Sequence, residues 1–453
     1  MAAPVDGALP ALNGAVLSLQ WGIPFAGLLL SIAVLPIVAP KFWHAHYGKA
    51  ALAWVLALLI PLTLAFGVGS AVHEVAHVLF AEYLPFIIIL FALFTISGGI
   101  CLRGQFRATP ARNTALLALG ATLASVMGTT GAAMLLIRPL LTANEGRKSS
   151  AHAVVFFILL VGNIGGALSP LGDPPLFIGF IKGVDFFWTT RALLWPTLLV
   201  TLALLAIFYL LDRRLFAREP EWLAYEHEFQ VAIEGSFNFV LLAGVVGAVL
   251  VSGLWKSGIT LDVLGTPLAA ESVVRDVLLI ALALASLMFT PKAIREHNAF
   301  HWAPIVEVAK LFVGIFVTII PVIAILGAGR SGALRDLIAA LVNPDGTLHN
   351  VAVFWVTGIL SAFLDNAPTY LVFFNLATGD AATLMGPLAT TLKAISMAAV
   401  YFGALTYIGN APNFMIKAIA EDRGVMMPSF FTYVVYAAVL LVPLLALVAL
   451  FAL

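Results

Sequence analysis

Long apolar runs are the feature of this sequence that most constrains its fold. Runs of roughly 20 apolar residues recur along the chain, and a helix of that length crosses the hydrocarbon core of a bilayer. Because backbone N–H and C=O groups find no partners in hydrocarbon, each run must close its hydrogen bonds internally. The candidate spans are 16–39, 50–71, 79–101, 151–181, 192–211, 237–255, 276–290, 303–327, 388–416 and 428–451.

The composition supports a membrane protein and excludes several other classes. Hydrophobic residues make up 62% of the chain and charged residues 10%, whereas soluble domains carry about 25% charged residues. The 23 basic residues balance 23 acidic ones, so no net charge attracts nucleic acid. A single cysteine, Cys101, excludes an internal disulfide and a cysteine-based metal cluster. We expect an all-α polytopic membrane protein whose main partner is the lipid bilayer, with no cofactor.

Two further apolar stretches, 114–141 and 351–376, are interrupted near their middles by small and polar residues. If each one enters and leaves on the same side of the membrane, most Lys and Arg residues collect on one face, which is then cytoplasmic. The sequence therefore predicts two re-entrant hairpins and an external N-terminus. The fewer basic residues on the predicted outer face are Lys182, Arg191, Lys256, Arg275, Arg330 and Arg335.

An internal repeat lies within the apolar background. Residues 166–175 read GALSPLGDPP and residues 403–412 read GALTYIGNAP, an offset of 403 − 166 = 237. The same offset lays LASVMGTTGA (123–132) on LSAFLDNAPT (360–369), hairpin tip on hairpin tip. Because an odd number of predicted spans separates the two hairpins, the two halves are expected to have opposite orientations. Inverted repeats with interrupted helices are typical of secondary transporters.

The predicted architecture has about 11 spans, arranged as inverted repeats with two re-entrant hairpins and two broken helices. Its parts are an N-terminal span (1–49), a first repeat (50–218), a cytoplasmic linker (219–236) and a second repeat (237–453). The first repeat contains the hairpin 114–141 and the broken helix 151–181, and the second contains the hairpin 351–376 and the broken helix 388–416.

The broken helices supply the first candidate site residues. Glycines and prolines prevent a continuous helix and expose backbone carbonyls. The predicted hinge residues are Gly166, Gly172, Pro175, Gly403, Gly409 and Pro412. In the first broken helix, Asn163, Ser169 and Asp173 add side-chain oxygens, and a carboxylate at this depth is costly unless it has a function.

The hairpin tips and the second broken helix supply the other candidates. They are Thr129 and Thr130 at the first tip, Asp365, Asn366 and Thr369 at the second, and Thr406, Asn410 and Asn413 on the second broken helix. Asp365 or Asn366 also suits an Asx turn or an N-cap of the second hairpin helix. A capping role and an ion-binding role are compatible.

The pattern HEVAH at 73–77 matches the H-E-x-x-H zinc signature, with His73 and His77 as ligands and Glu74 as base. An intramembrane zinc protease is therefore an alternative of a different class. We favour a polar loop or interfacial helix without zinc, because the motif lies at the external end of a predicted span. The sequence assigns no role to Glu82 or Lys310.

Four segments resemble the ion transporter superfamily, which includes sodium/proton antiporters, arsenite exporters and citrate or dicarboxylate carriers. These segments are EYLPFIIILFALFTISGGI (82–100), GNIGGALSPLGDPPLFIGF (162–180), LDNAPT (364–369) and GALTYIGNAPNF (403–414). The resemblance implies a homodimer in the bacterial inner membrane, with a scaffold part at the dimer contact and a transport part that moves. It also implies that substrate and coupling ion bind at Asn163, Asp173, Asp365 and Asn410.

The two carboxylates guide the choice of substrate. A di- or trianion between Asp173 and Asp365 would be repelled, whereas Na⁺ or H⁺ would be attracted. Carboxylate carriers of this superfamily typically have Ser-Asn-Thr at each tip, and here the tips read Gly128-Thr129-Thr130 and Asp365-Asn366-Ala367. We therefore predict sodium/proton antiport, with Na⁺ and H⁺ competing for Asp173 and Asp365. The alternatives are proton- or sodium-coupled transport of citrate or another carboxylate, and transport of a small neutral solute such as arsenite.

Overall fold

The computed structural model describes residues 12–105, 108–219, 230–341 and 348–453, and most of them are helical. The first half contains α1 (Ile23–Val38), α2 (Pro40–Val78), α3 (Leu84–Ser97), α4 (Pro110–Met127), α5 (Thr129–Ala143), α6 (Ala151–Leu160), α7 (Pro174–Ile181) and α8 (Phe186–Phe216). A single π-helical turn, Leu79–Tyr83, joins α2 to α3.

The second half begins with α9 (Phe237–Leu254), α10 (Ala270–Phe289), α11 (Lys292–His297), α12 (Ala303–Thr318), α13 (Ile320–Gly327) and α14 (Arg335–Ala340). It continues with α15 (Asn350–Leu364), α16 (Asn366–Ala377), α17 (Ala381–Met385), α18 (Ala389–Phe402), α19 (Ala411–Asp422) and α20 (Phe430–Ala452). The short strands are β1 (Cys101–Gln105), β2 (Gln230–Glu234), β3 (Thr260–Val263) and β4 (Thr266–Ala269).

The helices have the length and composition of a polytopic membrane protein. Within the described ranges, seven helical segments are long and apolar enough to cross a bilayer, or eight if α12 and α13, bent by 41°, form one span. The predicted span 50–71 and most of the predicted span 79–101 lie in one helical segment, Pro40–Ser97, which is interrupted at Gly67 (φ 85°). The predicted span 276–290 is short, and all of it except Thr290 belongs to the 20-residue helix α10. The count of about 11 spans stays a prediction.

Both predicted hairpins are pairs of helices joined by a single residue. Helices α4 and α5 meet at Gly128 (φ 80°, ψ 151°), and α15 and α16 meet at Asp365 (φ 76°, ψ 143°). The separation of these junctions is 365 − 128 = 237, the offset of the sequence repeat. A positive φ with ψ near 150° is open to glycine but strained for a residue with a side chain, so Asp365 adopts it at a cost.

Both predicted broken helices are interrupted by short 3₁₀ segments. Ile164–Leu168 separates α6 from α7, and Gly403–Leu405 separates α18 from α19. Backbones approach so closely here that a Cβ on Gly172 would lie 2.1 Å from the carbonyl oxygen of Gly166, and one on Gly409 would lie 2.6 Å from that of Gly403. The loops therefore require glycine for close packing. Pro175 and Pro412 each occupy the second position of the following helix, where a proline is tolerated.

A two-stranded antiparallel sheet pairs a strand of the first half with a strand from the segment that joins the two halves. Strand β1 pairs with β2, and Cys101 is opposite Glu234. Residues 219–236 are predicted from the sequence to be a linker, and Gln230–Glu234 within them form a strand. Residues 220–229 lie outside the described ranges. Strands β3 and β4 form a separate hairpin between α9 and α10.

A buried ionic cluster joins the ends of α4, α5, α6 and α8. Asp212 accepts hydrogen bonds from Arg147 at 2.5 Å, from His152 at 2.8 Å and from Asn113 at 3.0 Å. The side chains of Arg147 and Asp212 are 1% and 0% exposed. Because each charge is out of water, each one depends on the other for compensation.

We predict that Asp212→Asn lowers the free energy of unfolding by about 3–5 kcal/mol, because Arg147 is then a buried charge without a counter-charge. The only cysteine, Cys101, is buried, so a thiol-reactive dye added during heating of the purified protein would report unfolding. The double variant Arg147→Gln/Asp212→Asn should recover part of the loss. An unchanged melting temperature in Asp212→Asn would contradict this account of the cluster.

Candidate functional site

The carboxylate of Asp173 is the meeting point of the two halves of the chain. Asp173 precedes α7 and is 1% exposed. It accepts hydrogen bonds from Asn366 Nδ2 at 2.6 Å, Asn410 Nδ2 at 2.9 Å and Thr129 Oγ1 at 3.4 Å. These donors come from the starts of α16, α19 and α5. The structure thus brings together one residue from each interrupted helix and each hairpin tip that the sequence singled out.

A chain of buried asparagines extends from this carboxylate. Asn410 Nδ2 also donates to Asn163 Oδ1 at 3.2 Å, and Asn163 Nδ2 donates to Asn413 Oδ1 at 2.7 Å. Asn413 Nδ2 in turn donates to the carbonyl oxygens of Gly403 and Thr406, both at 2.8 Å. All three asparagines are at most 2% exposed. These hydrogen bonds connect the two broken helices. We refer to Asp173 and the three asparagines as the polar centre.

Each broken helix is attached to the hairpin of the same half by one hydroxyl group, and the two hydroxyl groups are equivalent in the repeat. Ser169 Oγ donates to the carbonyl oxygen of Ser125, and Thr406 Oγ1 donates to that of Ala362 at 2.5 Å. Each hydroxyl also accepts a bond from the backbone N–H two residues further on, at 3.1 and 3.2 Å. The donors and the acceptors are both offset by 237, since 406 − 169 = 237 and 362 − 125 = 237. The same local structure therefore occurs twice.

Asp365 has the capping geometry that the sequence allowed. Its carboxylate accepts a bond from the backbone N–H of Ala367 at 3.3 Å, and its carbonyl oxygen accepts one from Thr369 Oγ1 at 2.8 Å. It makes no direct hydrogen bond with Asp173 among the described residues. Its neighbour Asn366 makes the bond to Asp173 instead. Ion binding by Asp365 stays a prediction.

Two candidate residues have polar atoms without protein partners in the part of the chain that the structure describes. Asn366 Oδ1 is buried and accepts no hydrogen bond. Thr130, half-buried beside Thr129, makes no side-chain hydrogen bond there. Both lie at hairpin tips, so these oxygens are free to contact a ligand.

Sequence reasoning missed Ser125. Its hydroxyl donates to the carbonyl oxygen of Gly165 at 2.5 Å and accepts the N–H of Leu168 at 3.1 Å, which fixes the 3₁₀ segment of the first broken helix to α4. The aligned stretch 123–132 contained the signal. Its counterpart in the repeat, Ala362, has no polar side chain, so the two halves differ at this position.

The HEVAH motif lies at the end of α2, and Asp173 makes no hydrogen bond with it within the described ranges. Glu74 Oε1 accepts the backbone N–H of Leu12 at 3.1 Å. Across the described ranges, no three His, Cys, Asp or Glu side chains gather in a way that could hold a metal ion. Glu82 pairs with Lys182 at 2.5 Å, and the Lys310 ammonium lies 5.5 Å from the ring centroid of Tyr47.

The fold and the polar centre have the construction of a secondary transporter. Interrupted helices and paired helices from both halves of a polytopic membrane protein meet at buried polar groups, as transporter binding sites do. The chain belongs to the family described as "Putative citrate transport", whose model matches residues 14–453. This match confirms the resemblance drawn from the sequence. No curated protein matches the chain.

We predict that Ser169→Ala and Thr406→Val each lower the free energy of unfolding by about 1–3 kcal/mol, because each leaves a buried carbonyl oxygen unsatisfied. Thermal unfolding followed through Cys101 labelling would measure both losses. Thr406→Ser keeps the hydroxyl and should keep most of the stability. A loss in only one of the two halves would contradict the equivalence of these bonds.

Proposed function

We propose that this protein is a secondary transporter that exchanges Na⁺ for H⁺ through Asp173 and Asp365. One observation carries the proposal: the side-chain partners of Asp173 among the described residues are two amides and one hydroxyl, and none is cationic. A buried carboxylate without a positive partner is strongly unfavourable as a bare anion. It therefore favours the uptake of a proton or a metal cation.

The atoms around Asp173 suit a hard cation. Besides the carboxylate, the buried oxygen of Asn366 lacks a partner. Oxygens also crowd Gly403, where an added Cβ would lie 3.0 Å from Asn163 Oδ1 and 3.2 Å from the carbonyl oxygen of Gly409. Hard cations prefer carboxylate and carbonyl oxygens over nitrogen or sulfur. These groups could complete the shell of Na⁺ at Asp173, with Asp365 adding negative charge nearby.

The proposed mechanism is competition within an alternating-access cycle. Either Na⁺ or H⁺ neutralises the carboxylates, and only the neutralised centre crosses between the two faces. Release of the bound cation on one side leaves the carboxylates free to take up the other ion before the return step. Because a charged centre is costly in hydrocarbon, the empty carrier is held back and the two ion flows are coupled.

The repeated geometry supports the finer architecture that we propose. Hairpin junctions, helix starts and hydroxyl bonds recur at one offset, and the starts of α7 and α19 follow it as well, since 411 − 174 = 237. An inverted repeat with about 11 spans accounts for this recurrence. We also propose, from the family resemblance, a homodimer in the bacterial inner membrane with its N-terminus outside.

Coupled transport of citrate or another carboxylate is the second candidate. The family description favours it. The hairpin helices α5 and α16 both begin at the polar centre, and helix N-termini attract anions. The two aspartates oppose it, because they repel a polyanion at the same place.

We predict that Na⁺ or Li⁺ dissipates a pH gradient in everted vesicles from an antiporter-deficient host, and that Asp365→Asn and Asp173→Asn abolish the response. Each substitution removes a charge that either ion must neutralise. The matched control is Asp336→Asn, because the side chain of Asp336 is 96% exposed; this variant should keep the activity of the parent. If no cation dissipates the pH gradient and radiolabelled citrate is taken up, the protein is instead a carboxylate transporter.

We also predict that the apparent KM for Na⁺ rises as pH falls. Competition between one Na⁺ and one H⁺ raises it about tenfold per pH unit wherever the carboxylate is mainly protonated. Initial rates measured at several Na⁺ concentrations between about pH 6 and about pH 9 would give this slope. A KM that does not depend on pH, with only the maximal rate changing, would rule out direct competition.

A further inference from the structure

A cavity of about 380 Å³ lies apart from the Asp173 centre. It is enclosed by the Leu79–Tyr83 turn, the ends of α7 and α9, the starts of α8 and α10, and strand β4. None of the candidate site residues around Asp173 lines it. The charge distribution assigns this face to the outside of the membrane.

Arg275 of α10 is the unusual group in this cavity. The residue is 4% exposed, and its guanidinium carbon lies 6.0 Å from the ring centroid of Phe177. Its Nε donates to Asp276 at 2.8 Å. Neither Nη atom donates a hydrogen bond within the described ranges. A guanidinium has five N–H donors, so most of its donors are left for the cavity.

The other charges around the cavity leave the positive groups available. Lys256 lines the cavity, is exposed, and makes no hydrogen bond or ion pair among the described residues. Of the acids that line the cavity among the described residues, Asp276 pairs with Arg275, whereas Asp185 makes no ion pair and caps α8 by accepting the N–H of Phe187 at 3.0 Å. Nearby Lys182 is neutralised by Glu82.

We propose that this cavity binds the carboxylate or phosphate group of an anionic ligand. The Nη atoms of Arg275 match the spacing of two carboxylate or phosphate oxygens, and such paired bonds are among the strongest in proteins. Lys256 adds a second positive charge. If the ligand is a lipid, its acyl chains would contact the aromatic wall formed by Phe80, Phe180, Phe186 and Phe187. An acidic phospholipid headgroup and a small soluble carboxylate both have this chemistry.

Helix α7 links the cavity to the polar centre, because Asp173 directly precedes this helix and its other end lines the cavity. Phe177, on which the Arg275 guanidinium lies, donates its backbone N–H to the carbonyl oxygen of Asp173 at 3.4 Å. Phe180 and Ile181 of α7 line the cavity, so an anion held by Arg275 would lie beside the helix that follows Asp173. The site itself does not depend on the ion that Asp173 carries, so it can be tested separately from the proposed antiport.

Binding to the purified full-length protein tests the proposal with two probes. Phosphatidylglycerol would be followed by native mass spectrometry, and citrate by calorimetry. We expect Arg275→Gln to weaken binding of one probe about tenfold or more, and Lys256→Gln to weaken it several-fold. Asp276→Asn should strengthen it, because that variant removes a negative charge and the competitor for the guanidinium. A purely structural role for this pair predicts no gain.

The two probes distinguish the sources of the oxyanion. Loss of lipid binding alone in Arg275→Gln identifies a headgroup site, and loss of citrate binding identifies a site for soluble anions. If neither probe responds to any of the three substitutions, the proposal is wrong. Should Arg275→Gln fail to fold, Lys256→Gln and Asp276→Asn still decide the matter, since unchanged affinity in both would overturn it.

Discussion

The buried carboxylate of Asp173 is the constraint on which the polar centre depends. A carboxylate at 1% exposure is tolerated only when donors replace its lost water. Its three side-chain donors begin α5, α16 and α19. A continuous helix could not present them there, because its first N–H groups and side chains would lie at the membrane surface. The interruptions in both halves thus serve to bring helix starts to one buried point.

A second buried aspartate clarifies what is special about the first. Asp212 is equally buried, but it pairs with the Arg147 guanidinium at 2.5 Å. There the two charges compensate each other, and the cluster can remain ionised without a ligand. Among the described residues, the side-chain partners of Asp173 are all neutral, so its charge is solvated but not cancelled. This difference in partners, and not burial alone, is why we propose ion exchange for Asp173 and a structural role for Asp212.

The sequence predicted which segments meet at the polar centre but not which of their side chains hydrogen-bond to one another. Glycine, proline and a single offset of 237 located both tips and both broken helices, because these residues exclude regular helix wherever they cluster. Spacing could not tell that Asn366, and not Asp365, bonds to Asp173, since a junction with positive φ redirects the side chains that follow. Nor could it join Arg147 to Asp212, which are 65 residues apart and share no periodic pattern.

The two halves carry their carboxylates at non-equivalent positions. Asp173 corresponds to Asn410 in the repeat, and Asp365 corresponds to Gly128. Asp365 keeps φ at 76°, where its counterpart is a glycine; such a conformation costs a non-glycine residue about 1–3 kcal/mol. Capping alone does not require this cost, because Gly128 makes the same junction without a side chain. The acid at this strained tip is one reason why we propose a role in ion binding for the Asp365 charge as well as for Asp173.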